Sequence, residues 1–194
     1  MPSDLSMSDE IKPTPRLPGG HAAENEIARM IRVDHAGEHG AVQIYAGQLA
    51  VLGHTKSGDT IREMAAQEAE HLETFDRLIA EHQVRPTALS PIWHVAGYAL
   101  GAATALMGEK AAMACTAAVE EVIDEHYAKQ AAALEQSGEG DAPLKRTIER
   151  FRADEIAHRD TALAHGAEEA LGYRLLSDTI KAGCRIAIRL SERF

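Results

Sequence analysis

The sequence carries Glu-x-x-His twice, as Glu68 with His71 in "AAQEAEHLE" and as Glu155 with His158 in "ADEIAHRD". Residues three apart on an α-helix project from the same side, so each pair can grip one ion. One such pair in a charged helix is most often a solvated face. The recurrence changes the reading, because each pair is preceded by a lone glutamate in small, apolar sequence: Glu38 in "HAGEHGAV" and Glu120 in "TAAVEEVI". Glutamate is seldom found in such company without a partner.

Helical periodicity and breakers divide the chain into six segments. The first runs from about Glu24 to Leu52 and closes at "GHTKSG"; the second starts near Ser57 or Asp59 as N-cap and runs to about Gln83. A shorter third segment fits "IWHVAGYALGAATALM", and a fourth spans about Glu109 to Gln136, before "SGEGDAP". The fifth begins near Pro143 and continues to about Ala167; the last covers about Tyr173 to Arg193. Short connections make the first and second segments antiparallel, and likewise the fourth and fifth. Measured from the two turns, Glu38 then lies level with Glu68 and His71, and Glu120 with Glu155 and His158, to within a helical turn.

Four carboxylates in a core either take up protons or need cations, since burial of an unpaired carboxylate costs several kcal/mol. Two divalent ions cancel the four charges. Oxygen-rich coordination with one imidazole per ion suits iron or manganese, with iron first; structural zinc favours thiolate or more histidine. One Glu from each of two helices plus Glu-x-x-His from each of two others is the ferritin-like di-iron pattern. Glu121 competes with Glu120 for the ligand role, but one residue turns it about 100° around the helix, and Glu120 follows the apolar run more directly. Asp34, four before Glu38, and Asp124, four after Glu120, are candidates to hold a ligand histidine by its second nitrogen. His35, His39, His54, His82, His94 and His165 lack such a pattern and read as structural.

Composition supports an all-α class: aromatics are 4% and alanine is abundant. The 194 residues fit one domain, read here as residues 23–194 after a proline-rich, polar, disordered leader over 1–22 that has no signal-peptide pattern. A net charge of -10 argues against a nucleic-acid partner. Cys115 and Cys184 lack CxxC spacing and read as reduced core residues.

The chain resembles the demethoxyubiquinone hydroxylase family of ubiquinone biosynthesis, through "IRVDHAGE", "QEAEHLETF", "RPTALSPIW", "AMACTAAVEEVIDEHY", "FRADEIAHRD" and "AGCRIAIRLSERF". The similarity runs from about Ile31 to Phe194. It implies a di-iron monooxygenase whose ligands are Glu38, Glu68, His71, Glu120, Glu155 and His158, with His126 and Tyr127 as a pair at the substrate pocket. The implied substrate is a 2-polyprenyl-3-methyl-6-methoxy-1,4-benzoquinol, hydroxylated on its ring with O2 in the next-to-last step to ubiquinol. Three positions depart from the common pattern: His39 stands where tyrosine is usual, and Glu125 and Arg159 where a second histidine often occurs. None is a ligand position.

A polyprenyl tail brings the enzyme to a membrane, expected as peripheral attachment on the cytoplasmic face of the inner membrane. Residues Pro86 to Gly108 contain no Asp, Glu, Lys or Arg, and the last segment alternates Ile186, Ile188, Leu190 and Phe194 with Lys181, Arg185, Arg189 and Arg193. Both segments read as membrane-associated additions to a four-helix bundle. No nucleotide-binding G-x-G-x-x-G follows a strand pattern, so electrons come from outside: from NADH, a reductase or the quinol pool. A lipid-presenting partner protein and a homo-oligomer are further expectations. The competing reading is a ferritin- or rubrerythrin-like protein that oxidises iron or scavenges peroxide, using the same six ligands.

Overall fold

The computed structural model describes residues 20–136 and 142–194, which form six α-helices and one short 3-10 turn and contain no strand. They are α1 (Gly20–Leu52), α2 (Lys56–Glu81), α3 (Ser90–Leu106), α4 (Glu109–Gln136), α5 (Ala142–Ala164) and α6 (Tyr173–Ser191), with the 3-10 turn Ala167–Glu169 before α6. All six expected helices are present. The expected leader falls outside the described residues over 1–19, and so do residues 137–141 of the turn before α5. Helix α1 begins earlier than expected, and α2 begins at Lys56 with Thr55 as N-cap, so that Ser57 and Asp59 lie inside its first turn instead of capping it.

Helices α1 and α2 pack as one antiparallel pair and α4 and α5 as another, with α3 laid on α1 and α6 on α4. Of three apolar clusters, one joins Ile44 of α1, Cys115 and Val119 of α4 and Ile180 of α6, and the other two fill the ends of the bundle. One gathers Tyr45, Leu52, Ile61, Met64, Met113, Ala117 and Ala162. The other gathers Ile31, Phe75, Tyr127, Leu134, Ile148 and Phe151. Along every helix of the bundle the expected ligands fall between the two: Glu38 between Ile31 and Tyr45, Glu68 and His71 between Met64 and Phe75, Glu120 between Ala117 and Tyr127, Glu155 and His158 between Phe151 and Ala162. The clusters exclude water from both ends of a polar layer, which is what makes that layer electrostatically expensive.

Helix α3 meets α1 backbone to backbone. A Cβ on Gly101 would stand 1.9 Å from the Ile44 carbonyl oxygen, and one on Gly47 2.2 Å from the Tyr98 carbonyl oxygen. The outer side of α3 exposes Ile92, Val95, Tyr98 and Leu106. Its N-terminal end is tied to the end of the chain: Trp93 Nε1 donates to Ser191 Oγ at 3.0 Å, and the Ala88 amide donates to the Phe194 carbonyl at 3.0 Å. Gly108, at φ 115°, supplies the left-handed residue that turns α3 directly into α4. No described helix is long and apolar enough to cross a membrane.

Candidate metal centre

Glu38 of α1, Glu68 and His71 of α2, Glu120 of α4, and Glu155 and His158 of α5 converge in the buried layer, where Glu68 and Glu155 have 0% exposure. They form two overlapping groups: Glu38, Glu68, His71 and Glu155, and Glu68, Glu120, Glu155 and His158. Within each group one donor atom per residue lies within 4.8 Å of all the others. Glu68 and Glu155 belong to both groups; Glu38 and Glu120 each belong to one.

Both imidazoles turn Nδ1 inward. His71 Nδ1 lies 3.3 Å from Glu155 and 3.6 Å from Glu38, and His158 Nδ1 lies 3.0 Å from Glu68. Burial, and then the charges of Glu155, Glu120 and Glu38, push the Glu68 carboxyl well above its usual range. Burial and Glu155 do the same to Glu120. Burial also raises Glu155, against the lowering influence of His71. Burial alone would lower His71, but Glu155 and Glu38 outweigh it and lift the imidazole to about 10. His158 is lowered, by burial first. Among the described residues no lysine or arginine pairs with these four carboxylates.

Eight polar atoms of the six residues are buried without a hydrogen-bond partner: both oxygens of Glu68 and Glu155, one each of Glu38 and Glu120, and Nδ1 of both histidines. Buried polar atoms are normally satisfied. Oxygen donors and two inward nitrogens, which converge and meet no partner but one another, fit a pair of divalent cations by donor chemistry and by charge.

Each remaining site expectation has a definite place. Tyr127 donates its hydroxyl to Glu38 Oε1. A tyrosine that sequence reading did not single out, Tyr45, donates to Glu120 Oε1 at 2.7 Å. The outward nitrogens of the histidines are held by Asp154 and Gln67, not by Asp34 and Asp124: His71 Nε2 lies 3.2 Å from Asp154 Oδ2, and His158 Nε2 2.7 Å from Gln67 Oε1. Asp34 instead faces His126 and Gln130, at 3.1 and 2.7 Å, and Asp124 pairs with Arg152 and Arg159. Both substitutes precede the glutamate of a Glu-x-x-His pair and reach across to the histidine of the other pair, a rule that becomes visible only once the two halves face each other. Glu121 points away from the centre to Lys181, at 2.7 Å. His39 stacks obliquely near His94, with ring centroids 5.6 Å apart, and Glu125 pairs with Arg185.

Beside the polar layer lies an apolar cavity of about 390 Å³ between α1, α3, α4 and α6. Gly37 and Val119, each adjacent in sequence to a candidate ligand, line it together with Trp93, Leu100, Ile180 and Ile188. Neither His126 nor Tyr127 does. His126 instead lines a smaller hollow of about 170 Å³ with Arg29, Lys129 and Gln130.

With that geometry in view, comparison with known proteins is decisive. Residues 25–191 match the family described as ubiquinone biosynthesis protein COQ7. The chain belongs to this family. It is 55% identical over 179 residues to the 3-demethoxyubiquinol 3-hydroxylase of Rhodospirillum rubrum, covering 92% of this chain and 83% of the relative. It is 54% identical over 169 residues to the mitochondrial NADPH-dependent 3-demethoxyubiquinone 3-hydroxylase of Mus musculus, covering 87% and 78%. The mitochondrial 5-demethoxyubiquinone hydroxylase of Saccharomyces cerevisiae is 42% identical over 181 residues, covering 86% and 78%.

Proposed function

We propose that the chain is a di-iron monooxygenase that hydroxylates the ring of a polyprenyl demethoxyubiquinol with O2 in ubiquinone biosynthesis. The observation that carries this reading is the convergence of eight buried donor atoms in a bundle two of whose helices, α1 and α4, also line an apolar cavity through Gly37 and Val119, next in sequence to two of the candidate glutamates. Membership of the family and the printed activities of its members support it. In this reading α1, α2, α4 and α5 are the four helices of a ferritin-like carboxylate bundle, within a catalytic domain over 23–194.

Glu38, Glu68, His71, Glu120, Glu155 and His158 would then hold an iron pair, with Glu68 and Glu155 shared by both donor groups, and the pair would supply the redox chemistry that activates O2. The chain's own residues do the rest. Tyr45 and Tyr127 hold the terminal carboxylates in place by their hydroxyl groups. Asp154 and Gln67 fix the tautomer and the ring plane of each histidine. The cavity takes the ring of the quinol and excludes water from it, while the tail leaves along the side where α3 and α6 meet.

That side is the proposed membrane contact. Ile92, Val95 and Leu106 of α3 and Ile186 of α6 are exposed there, which suits a peripheral protein on the cytoplasmic face of an inner membrane. Of the four cations expected to assist, Lys181 and Arg185 turn instead to Glu121 and Glu125 of α4, leaving Arg189 and Arg193 for lipid headgroups. The external electron donor is a reduced nicotinamide, in keeping with the name of the mouse relative. A lipid-presenting partner and self-association suit the same exposed face.

The test is the quinone profile of cells lacking this protein, complemented with the wild type or with Glu155→Ala. Accumulated demethoxyubiquinone that the wild type clears and the variant does not is the expected result. A normal profile in the deletion strain overturns the reading.

A further inference from the structure

The proposed reaction, on which this inference rests, consumes protons. Converting a ring C–H into C–OH with O2 takes two electrons from the C–H bond and two from the external nicotinamide, and one oxygen atom leaves as water: C–H + O2 + 2 e⁻ + 2 H⁺ gives C–OH + H2O. Those protons must reach a layer whose six candidate ligands are all buried. The apolar cavity is a poor route, because Cys184 is the one titratable side chain lining it, and burial pushes that thiol up to about 11.

The smaller hollow shares Val33 with the apolar cavity but adds charged side chains. Arg29, Lys129, Glu26 and Glu192 surround it, and His126 and Gln130 form its inner wall. The His126 side chain is 18% exposed, whereas Asp34, which its Nε2 meets at 3.1 Å, is 0% exposed. Gln130 Nε2 reaches both Asp34 Oδ1, at 2.7 Å, and His126 Nε2, at 2.9 Å. A triad that only tied α1 to α4 would leave nothing over. Here Asp34 Oδ2 and Gln130 Oε1 are both buried and idle, two acceptors suited to water. Asp34 precedes Glu38 by one helical turn on α1, and Tyr127, which follows His126, donates to Glu38.

We propose that His126 and Asp34 are a proton inlet, taking protons from water in the hollow between Arg29 and Lys129 and passing them inward toward Glu38. A proton enters at the imidazole Nδ1, the Nε2 proton moves to Oδ1 of the Asp34 carboxylate, and the carboxyl hands that one proton on to an ordered water and returns to carboxylate. The ring, left with its proton on Nδ1, regains the starting tautomer by giving that proton back to water in the hollow and taking one at Nε2. Burial raises the Asp34 carboxyl above its usual range, against the lowering influence of His126, so it can hold a proton in transit. The groups facing the pair are Glu26, Arg29 and Glu38 from α1, Lys129 and Gln130 from α4, and Glu192 after α6. Substrate and protons then enter by separate routes, one without charged side chains and one ringed by them.

The experiment uses the full chain, iron-loaded, with a short-tailed demethoxyquinol, O2 and NADH. His126→Ala is expected to keep its helicity and iron while turnover falls about 10²-fold, the range for a lost proton-transfer group. The solvent deuterium isotope effect should rise, and added imidazole, which fits the vacated hollow, should restore activity about tenfold. Asp34→Asn should lose activity alike and resist imidazole. Wild-type turnover in His126→Ala, or a loss that neither imidazole nor D2O modulates, overturns the inlet. A crystal structure of the metal-free chain provides a readout independent of activity: ordered water on Asp34 Oδ2 and Gln130 Oε1 is expected, and its absence counts against the route. If the wild type itself turns over no demethoxyquinol, the functional reading fails, while the water still decides on the inlet.

Discussion

Tyr45 of α1 donates its hydroxyl to Oε1 of Glu120 on α4 at 2.7 Å. The reciprocal bond joins Tyr127 of α4 to Glu38 of α1. Positions 38 to 45 and 120 to 127 are both seven apart, two helical turns, so each glutamate-bearing helix braces the glutamate of the other. Burial, and then the charge of the glutamate it touches, raises each phenol well above its ordinary value, which keeps both protonated as donors.

Replacing either tyrosine with phenylalanine removes one hydrogen bond to a buried carboxylate, worth about 1.5–3 kcal/mol. Iron retention after dialysis should fall about tenfold or more in Tyr45→Phe and Tyr127→Phe, with far-ultraviolet circular dichroism unchanged. Full retention in both variants would show that the braces do not position the ligands.

The histidine supports allow a sharper comparison. Asp154→Ala and Gln67→Ala leave all six donors in place but release the outward nitrogen of His71 or His158. Loss of such a support typically costs 10- to about 100-fold in metal affinity. Anaerobic Co(II) titration, read by visible absorption, should show one weakened position in each variant. An isotherm identical to the wild type removes Asp154 and Gln67 from the site.

Metal-free protein should lose stability as pH rises. Folded Glu68, Glu120 and Glu155 hold their protons above the ordinary carboxyl value of 4.5, so the folded state binds more protons than the unfolded one from there upward. His71, raised from 6.5 to about 10, acts in the same direction between those values. His158, lowered from 6.5, opposes them with a single group. Calorimetry of stripped protein should therefore give a Tm that falls from about pH 5 to about pH 8. Mn(II)-loaded protein should show the reverse slope, because its ligands bind deprotonated. A stripped-protein Tm that climbs over this range contradicts the carboxylate-rich layer.

Gly101→Leu places a side chain where even a Cβ meets the Ile44 carbonyl oxygen at 1.9 Å. Overpacking at such a crossing costs about 1–3 kcal/mol and forces α3 from α1. Chemical denaturation should report that loss, and the cavity that both helices line should bind an apolar fluorescent probe differently from the wild type. Unchanged stability and probe binding would mean that the helices slide apart without cost.

Much of the layer was legible because helices preserve spacing. Glu38, Glu68, His71, Glu120, Glu155 and His158 announce themselves by the repeat of one short pattern, and the choice of Glu120 over Glu121 follows from a 100° turn that the structure reproduces, with Glu121 on Lys181. Asp154 and Gln67 were missed because spacing along one helix says nothing about which neighbour it faces. Asp34 and Asp124 sit well on their own helices, yet they meet His126 and Arg152 across the interfaces. Tyr45 had a signal that could have found it, the same interval of seven that separates Glu120 from Tyr127. The attachment of Trp93 to Ser191 was invisible for the same reason as Asp154, and it makes Ile92 and Val95 the better positions for testing the membrane face. Charged residues there should release the protein from anionic vesicles while sparing its iron; vesicle binding that survives both changes would move the contact elsewhere.

The central claim is the paired metal centre, and anaerobic Fe(II) titration of the stripped chain tests it most directly. Two irons per chain are expected in the wild type. Glu68→Ala or Glu155→Ala should weaken both positions, because each residue belongs to both donor groups, whereas Glu38→Ala or Glu120→Ala should weaken mainly one. Wild-type protein that binds one iron or none, or a Glu68→Ala variant that still holds two, would contradict it.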